Sequence, residues 1–515
     1  MSVARPLLAL IVCLSPAVAA EPLAAKLDAV VSGPDYKHAH WGLYVADLKT
    51  GETVFARDPD KLFAPASTTK LFSCAAALVA LGPDHKFVTP VYRRGEVGIS
   101  GTLRGDLILV ASGDPSFGGR TKDDKLAFKD HDHTYANSSL MDSELTDTDP
   151  LAALNDLAKQ VKASGITAVT GDVLIDDRLF ASTRSSGSGP DAVTPIIVND
   201  NVLDVTIAPA DEAGKPAKVT VRPQTAVATV DIDVTTGVKG SPPLTLLDTI
   251  GPRQFAVRGS VPVGHKPVVR ILPIDDPAGY ARGMFIEALR RQGVRVTAPV
   301  ARPAGADLPA KDEYAKLTQV ASHTSPPFSE VTTVTLKVSH NLYASALPCL
   351  VAAKKGKRTL ADGLREQGKI LKELGVDVKS ISFGGGAGGA NADWVTPRTA
   401  VQLLCGMARR PEWAAYKAGL PSLGVDGTLV DVVGKDSPAR GKVFAKTGTL
   451  FWSDLMNNRS LLTSKALAGV VTTKSGRELA FGFYVNGVPL PAGVPTSREG
   501  KVLGKLAEIV YEHGE

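Results

Sequence analysis

The order of strand-like and helix-like segments limits the fold of this chain more than any other feature. Residues 41–57, WGLYVADLKTGETVFAR, form two β-rich runs around a polar turn that ends at Gly51, which is the pattern of a β-hairpin. Three strand-like runs, GKVFAKTGTL, ALAGVVTTKSG and RELAFGFYVNG, precede a final helical segment. Because helical patterns lie between the two groups, we predict a mixed α/β (α+β) domain with one central antiparallel sheet built from both chain ends.

A long β-rich region separates the first hairpin and helix from the later helices. Residues 90–270 are rich in β-branched residues, Gly and Pro, as in GDVLIDDRLF and ATVDIDVTT. Helical patterns then occupy residues 276–293, 327–338, 341–354, 359–374 and 397–409. We therefore predict a domain made of residues 21–89 and 271–515, interrupted at 90–270 by an inserted β-rich region that forms two small domains.

A polar, acidic segment at residues 119–149 lies within the predicted insert. Its His131-x-His133 pair, with Asp130 and Asp132 beside it, has residue types that bind metal ions. No further cluster of ligands lies nearby in the sequence, so we interpret the segment as a solvated, mobile surface loop and predict no metal site.

The first 20 residues, MSVARPLLALIVCLSPAVAA, contain a basic residue, a short apolar run and small residues at the end, which is the pattern of a secretory signal peptide. We predict cleavage after Ala19 or Ala20 and export to the periplasm or cell-wall space. No later stretch approaches the roughly 20 apolar residues of a membrane span, so no transmembrane segment is predicted in the mature chain.

The charge and the cysteines argue against two classes of function. The 58 Lys and Arg residues against 53 Asp and Glu give a net charge of +5, a bias too weak to predict a nucleic-acid partner. Beyond the predicted signal peptide, Cys74, Cys349 and Cys405 are widely spaced, and each lies in an apolar helical run. This spacing fits neither a disulfide framework nor a zinc site, so we predict that all three are core residues.

Ser67-Thr68-Thr69-Lys70 is the first candidate for chemistry, because an almost wholly apolar helix begins there. The i, i+3 spacing places Ser67 and Lys70 on one helical face within hydrogen-bonding reach. A serine nucleophile needs a base, and a lysine can serve if burial and the helix dipole lower its pKa. The pattern alone is weak, but its position at a buried helix favours function over a simple helix start.

Ser339-His340-Asn341 is the second candidate and lies in KVSHNLYAS, between two helical stretches. This position could direct a hydroxyl and an amide into a cleft. Taken alone, the tripeptide is better explained as a turn followed by a helix N-cap, so its weight depends on the other motifs.

The third candidate is a Lys-Thr-Gly tripeptide in an apolar strand, where alternation places Lys446 and Gly448 on one side and Thr447 on the other. The lysine could supply positive charge for a substrate carboxylate, and the glycine could let a ligand backbone approach. An identical tripeptide at residues 49–51 is explained by the hairpin turn, in which Gly51 supplies a positive φ.

Other catalytic patterns are missing from the sequence or lack their structural context. Neither a Gly-x-Ser-x-Gly elbow nor a Gly-Lys-Ser/Thr phosphate loop is present. The sequence GGGAGG at residues 384–389 matches Gly-x-Gly-x-x-Gly, but ANADWVTP follows it instead of a helix. We therefore predict no dinucleotide site, and no cofactor is required for the chemistry that the three motifs indicate.

Ser-x-x-Lys, Ser-x-Asn and Lys-Thr-Gly form a set that is typical of penicillin-binding proteins and class A β-lactamases. The chain resembles the low-molecular-mass class C penicillin-binding proteins, the D-alanyl-D-alanine carboxypeptidase/endopeptidase family, over nearly the whole mature chain. The resemblance is carried by DLKTGETVFARDPDKLFAPASTTKLF, GDLILVASGDPSF, TLKVSHNLYAS, WVTPRTAVQLL and AKTGTL. It implies a β-lactamase/transpeptidase-like domain that two small β-rich domains interrupt between the first two motifs.

The resemblance implies an exported serine hydrolase that acts on peptidoglycan stem peptides ending in D-Ala-D-Ala, as a carboxypeptidase or an endopeptidase. Ser67 would be the nucleophile that forms an acyl-enzyme, and Lys70 the base of acylation. Ser339 would relay a proton toward the leaving group, and Asn341 would hold the substrate amide.

The third motif would supply the substrate-binding residues Lys446, Thr447, Gly448 and Thr449, with the ammonium and the two hydroxyls directed to the terminal carboxylate. The backbone N–H groups of Ser67 and Thr449 would form the oxyanion hole. β-Lactams mimic the D-Ala-D-Ala terminus, so they are expected to acylate the same serine as inhibitors.

Two other functions remain as alternatives. A β-lactamase-like hydrolase needs fast deacylation, which class A enzymes obtain from a Glu-activated water, and the sequence has no Glu-x-x-Leu-Asn. A penicillin-binding wall protein without efficient turnover is the second alternative.

Three departures from the family pattern bear on these expectations. His340 stands where the family usually has Asp, with a side chain expected to point away from the substrate. Gly385-Gly386-Ala387-Gly388 replaces the usual Asp-Gly-Ser-Gly, which removes two polar groups near the cleft and is expected to alter substrate choice or rate. FWSDLMNNRSLLTS after Leu450 is longer than the usual strand connection, so we expect it to roof the site.

Overall fold

The computed structural model describes residues 22–138, 143–300 and 307–515. The predicted signal peptide and its cleavage site after Ala19 or Ala20 lie outside the described residues, as do residues 139–142 of the predicted loop. Within the described ranges, no helix combines the length and the apolar composition that a membrane span needs.

The helices and strands are numbered in chain order. The α-helices are α1 (Leu23–Val31), α2 (Thr69–Leu81), α3 (Ala152–Ala163), α4 (Pro277–Arg291), α5 (Phe328–Lys337), α6 (Asn341–Lys354), α7 (Leu360–Glu373), α8 (Pro397–Ala408), α9 (Trp413–Gly419) and α10 (Ser497–His513). The five helical patterns of the sequence correspond to α4 to α8, and each predicted end lies within two residues of the observed one.

The strands fall into one group at each end of the chain and one group between them. The first eleven are β1 (His40–Asp47), β2 (Thr53–Arg57), β3 (Val88–Val97), β4 (Thr102–Val110), β5 (Thr121–Lys122), β6 (Lys125–Leu126), β7 (Ala168–Val169), β8 (Val173–Asp176), β9 (Thr183–Arg184), β10 (Ala192–Val193) and β11 (Val202–Ala208). The others are β12 (Lys218–Arg222), β13 (Thr229–Gly237), β14 (Leu244–Gly251), β15 (Gln254–Pro262), β16 (Val268–Pro273), β17 (Arg295–Val296), β18 (Thr318–Thr324), β19 (Val443–Asp454), β20 (Arg459–Thr472), β21 (Glu478–Asn486) and β22 (Val488–Pro489).

A six-stranded sheet joins the two ends of the chain. Its strands run in the order β19-β20-β21-β1-β2, with β22 beside β20, and every pair is antiparallel. The β1–β2 hairpin turns at Gly51, whose φ is +77°. The prediction of a central antiparallel sheet assembled from both chain ends is therefore confirmed.

Alternation along the strands explains how both faces of this sheet are covered. In β21, Ala480 and Tyr484 pack with α2, α5, α6, α7 and α8, whereas Phe481 and Phe483 pack with α1 and α10 on the opposite face. The helix-rich core therefore lies on one side of the sheet and surrounds α2. The three cysteines are buried in this core, as predicted: Cys74, Cys349 and Cys405.

A second six-stranded sheet lies in the region predicted as an insert and extends beyond its predicted end. Its strands run in the order β17-β7-β4-β3-β18, with β8 beside β4, and α3 and α4 share its core. Two three-stranded sheets, β12-β11-β16 and β13-β15-β14, lie next to it in the chain. Because β18 pairs with β3, the strand pairing favours an insert that ends near residue 324 rather than 270, and the division into domains stays a prediction.

Candidate active site

The candidate nucleophile lies in a short turn that leads into the buried helix α2. Ser67 occupies a 3-10 turn at Ala66–Thr68, and the helix proper begins one residue later. Ala66, just before it, has a φ of +48°, a left-handed conformation that is costly for a residue with a Cβ. The turn brings the Ser67 Oγ to 2.8 Å from the Nζ of Lys70 in the first turn of α2, as the i, i+3 spacing predicted.

Lys70 is wholly buried and has neutral hydrogen-bond partners. Besides Ser67, its Nζ donates to the Oδ1 of Asn341 at 2.7 Å and to the Ala387 carbonyl at 2.8 Å. Burial, and after it the positive charge of Lys446, hold the pKa of Lys70 well below its usual range. The lowered pKa and the 2.8 Å contact suit this amine to take the proton of the Ser67 hydroxyl.

The second motif lies at the junction of α5 and α6, as the sequence predicted. Ser339 adopts a φ of +66°, which turns the chain between the two helices. Asn341 begins α6 and bridges two parts of the molecule, because its Oδ1 accepts from Lys70 while its Nδ2 donates to the Ser188 carbonyl at 3.0 Å. Ser188 belongs to the segment between β9 and β10, so the predicted insert contributes directly to the site.

His340 points away from Ser67 and Lys70 into a buried cluster of charged residues. Its Nδ1 accepts from the Tyr343 backbone N–H at 3.4 Å, which caps α6, and its Nε2 lies 3.1 Å from the Oδ2 of Asp200. The Tyr343 ring packs against the imidazole with 4.0 Å between ring centroids. This orientation agrees with the expectation for the middle residue of the motif, and it links the motif to the insert.

The cluster around Asp200 corrects the prediction of a solvated, mobile loop at residues 119–149. Asp132 and His133 are buried, and Arg120 lies 2.7 Å from Asp132 and 2.8 Å from Asp200. The two ring nitrogens of His133 lie 2.7 Å from Asp200 and 2.6 Å from Asp204. Burial alone would lower the pKa of His133, but the two carboxylates raise it to about 10. His133 is therefore an ion-paired structural residue, because carboxylates occupy both of its ring nitrogens.

The third motif lies on β19, at the edge of the central sheet. Lys446 is fully buried, its Nζ donates to the Thr447 carbonyl at 3.0 Å, and burial lowers its pKa to about 7. The Thr447 hydroxyl donates to Thr428 at 2.8 Å, and Thr449 accepts a hydrogen bond from Lys465 at 2.8 Å. Thr447 and Thr449 face the cavity described below, whereas Lys446 lies behind its wall.

The structure explains the glycine at position 448 by a contact within the protein, whereas the sequence indicated the approach of a ligand backbone. A Cβ on this residue would lie 2.5 Å from the Pro65 carbonyl oxygen and 3.1 Å from the Ala66 Cβ. The missing side chain therefore lets β19 approach the turn that carries Ser67. It brings the third motif to the nucleophile before any ligand is bound.

The glycine-rich loop contacts the base through its backbone. Ala387 supplies the carbonyl that accepts from Lys70, and the neighbouring Gly386 carbonyl accepts from the Ser73 hydroxyl at 2.9 Å. Asp393 holds the loop by accepting from the backbone N–H groups of Gly384 and Ala390, both at 2.8 Å. Sequence analysis missed Asp393 and the Ala387 carbonyl, although an Asp four residues after a glycine run is a residue type that often hydrogen-bonds the backbone of a loop.

The three motifs meet at a cavity of about 1410 Å³. Its wall includes one or two residues of each motif, namely Ser67, Ser339, Asn341, Thr447 and Thr449. The predicted insert adds Tyr135 and residues 186–189, and the β19–β20 hairpin adds Phe451, Trp452 and Leu455. The long hairpin thus forms part of the cavity wall, in agreement with the expected roof.

Comparison with known proteins gives a consistent result over most of the chain. The model of the D-Ala-D-Ala carboxypeptidase 3 (S13) family matches residues 23–504. A D-alanyl-D-alanine carboxypeptidase from Actinomadura sp. is 32% identical over 505 residues, which cover 94% of this chain and 84% of the relative. The D-alanyl-D-alanine carboxypeptidase DacB from Haemophilus influenzae is 25% identical over 439 residues, 82% of this chain and 80% of the relative.

The fold also matches a solved structure. The crystal structure of penicillin binding protein 4 (dacB) from Haemophilus influenzae superposes with a TM-score of 0.72 and 21% identity, covering 94% of this chain and 99% of that one. The same protein in complex with a β-lactam superposes with a TM-score of 0.68. The predicted fold class, mixed α/β with antiparallel sheets, is confirmed, and the fold matches that of penicillin binding protein 4.

Proposed function

The chain belongs to the D-Ala-D-Ala carboxypeptidase 3 (S13) family, and we propose that it works as a serine carboxypeptidase through an acyl-enzyme on Ser67. The observation that carries the assignment of Ser67 is its contact with Lys70. The two reacting atoms are 2.8 Å apart, and the amine is buried with neutral hydrogen-bond partners. A neutral, desolvated lysine next to a serine hydroxyl is an activated nucleophile pair.

Acylation follows from this pair. Lys70 takes the hydroxyl proton as the Ser67 Oγ attacks the carbonyl carbon of the penultimate D-Ala, which gives a tetrahedral oxyanion. The backbone N–H groups of Ser67 and Thr449 stabilise that oxyanion, and each such donor contributes about 3 kcal/mol to lowering the barrier. Collapse breaks the peptide bond, and the leaving D-Ala amine receives its proton from Lys70 through Ser339.

Deacylation uses the same groups in reverse order. A water molecule gives a proton to the base and attacks the ester carbon, and Ser67 regains its proton as the bond to Oγ breaks. The products are the shortened peptide and free D-Ala. Every proton in this sequence moves between side chains of the site, the substrate and the attacking water.

The proposed substrates are peptidoglycan stem peptides that end in D-Ala-D-Ala, met after export to the periplasm or cell-wall space. Support comes from the signal-peptide pattern of residues 1–20 and from a cavity of about 1410 Å³, which has room for a peptide rather than only a dipeptide end. The D-Ala-D-Ala mimicry of β-lactams supports acylation of the same serine by these inhibitors.

Mass spectrometry of the protein after exposure to penicillin tests this proposal. We expect an adduct of one penicillin per chain on the peptide that contains Ser67, lost slowly compared with the release of D-Ala from a D-Ala-D-Ala peptide. An adduct on another residue would contradict the assignment of the nucleophile. Rapid loss of the adduct would favour the β-lactamase-like alternative, and labelling without any D-Ala release would favour the wall-binding alternative.

The rate of acylation is expected to fall on the acid side of the pH profile. Burial and Lys446 lower the pKa of Lys70, so the amine is neutral over a wider range than an ordinary lysine and gains its proton only as the pH falls through that lowered value. Below it, the rate should drop about tenfold for each pH unit. Stopped-flow acylation with penicillin between about pH 5 and pH 9 measures this limb, and a flat profile would argue against an amine base.

A further inference from the structure

Lys465 is a buried lysine that faces the cavity from the strand next to the third motif. It lies opposite Thr449 in the antiparallel register of β19 and β20, and its Nζ donates to the Thr449 Oγ1 at 2.8 Å. The side chain is only 8% exposed, yet it forms part of the cavity wall. Its ammonium is thus directed at the place where the third motif meets a ligand.

The ammonium of Lys465 has no anionic partner in the described parts of the chain. The carboxylate that influences it electrostatically is Glu499, which accepts from the Tyr36 hydroxyl at 2.7 Å and pairs with Arg498 at 2.6 Å. A buried cation without a counter-ion is costly, so an open side toward the cavity favours binding of an anion there.

Other cations near the cavity do not meet this description. Arg459 also lines the wall, but its Nε lies 2.9 Å from Asp454. Lys446 is behind the wall, and Lys70 is engaged with Ser67. Burial lowers the pKa of Lys465 to about 8, so the group remains mostly protonated at pH 7.

We infer that Lys465 is a specificity-determining residue that binds the free C-terminal carboxylate of the substrate together with Thr449. The inference rests on the proposed function and adds a residue that the three motifs do not contain. Because Lys465 donates to the Thr449 oxygen, the hydroxyl hydrogen of Thr449 is free to donate to the carboxylate. The ammonium has two more hydrogens for the same anion, so the pair selects a charged terminus over a neutral one.

The test compares two peptides that differ only in this charge, an N-acylated peptide ending in D-Ala-D-Ala and its C-terminal amide. The Lys465→Met variant is expected to lose about 30-fold in kcat/KM for the acid, and less than about threefold for the amide. Lys465→Arg keeps a cation and should restore most of the preference for the acid. Lys501→Met, the same change at an exposed lysine of α10, should leave both rates at the wild-type level.

Equal losses for the acid and the amide in Lys465→Met would overturn the inference, because a merely structural lysine would affect both alike. If the Met variant does not fold, as judged by its melting temperature, Lys465→Gln gives the same comparison, since it retains a donor to Thr449 without charge. A different result would contradict the proposed function itself: a wild-type protein that neither forms a penicillin adduct on Ser67 nor releases D-Ala from the acid.

Discussion

The Lys70→Met variant is expected to acylate with penicillin about 10³-fold more slowly than the wild-type protein. Methionine fills a similar volume, but it accepts no proton from Ser67, so the hydroxyl must attack without its base. General bases contribute roughly 10²- to 10⁴-fold to such steps, and the 2.8 Å contact of Lys70 with Ser67 is well within reach for proton transfer. The same loss is expected in the release of D-Ala from a peptide.

Two further variants make the result interpretable. Ser67→Ala lacks the nucleophile and sets the zero level of penicillin labelling. Lys70→Arg keeps hydrogen-bond donors and a positive charge but remains protonated at all accessible pH values. Acylation at near wild-type rate by Lys70→Arg would show that Lys70 acts through its charge and not as a base. Circular dichroism establishes that each variant retains the fold.

Sequence patterns predicted those parts of the fold that depend on residues close together in the chain. Strand-like runs of the sequence indicated β1, β20 and β21, and the Gly51 turn indicated the first hairpin. The Ser67–Lys70 pair could be predicted for the same reason, since helical spacing alone brings residues i and i+3 together. The bounds of α4 to α8 followed from the helical patterns of the sequence.

Contacts between distant charged residues could not be predicted in this way. Arg120, Asp132 and His133 read as a polar loop, because charged side chains are usually solvated. They are buried only because Asp200, in a turn just before β11, supplies a carboxylate to Arg120 and His133. The pairing partner lies 80 residues from Arg120, and no local pattern encodes it.

Short strands and backbone contacts could not be predicted from the sequence either. Strand β17 has two residues and pairs with the equally short β7, so the sequence after residue 270 gave no sign of this pairing with the predicted insert. The Ala387 carbonyl contacts Lys70, but every residue carries a carbonyl, and its side chain gives no indication of that role. The loss of the usual polar side chains at Gly385–Gly388 consequently leaves this contact with the base in place. Its effect on rate or substrate choice stays a prediction.

The second large effect is expected at Lys446, because this buried lysine influences the pKa of Lys70. Burial, and after it the positive charge of Lys446, lower the pKa of Lys70, and both lysine side chains are shielded from water. Removing Lys446 therefore raises the pKa of Lys70 and leaves more of it protonated at pH 7. The resemblance adds a role in attracting the substrate carboxylate, and both effects act in the same direction.

Lys446→Ala is expected to reduce the acylation rate about 10²-fold at pH 7, with part of the loss recovered at higher pH where Lys70 is again neutral. The matched control is Lys49→Ala in the identical tripeptide of the β1–β2 turn. Lys49 is exposed, and its turn is held by backbone N–H donation to Asp47 at 3.0 Å, which the substitution preserves. This control should remain within about twofold of the wild-type rate, as surface changes usually do. Acylation kinetics with penicillin across the pH range test both points. Equal losses in Lys446→Ala and Lys49→Ala would contradict the different roles of the two tripeptides. An acid limb that does not shift in Lys446→Ala would contradict the effect of Lys446 on the pKa of Lys70.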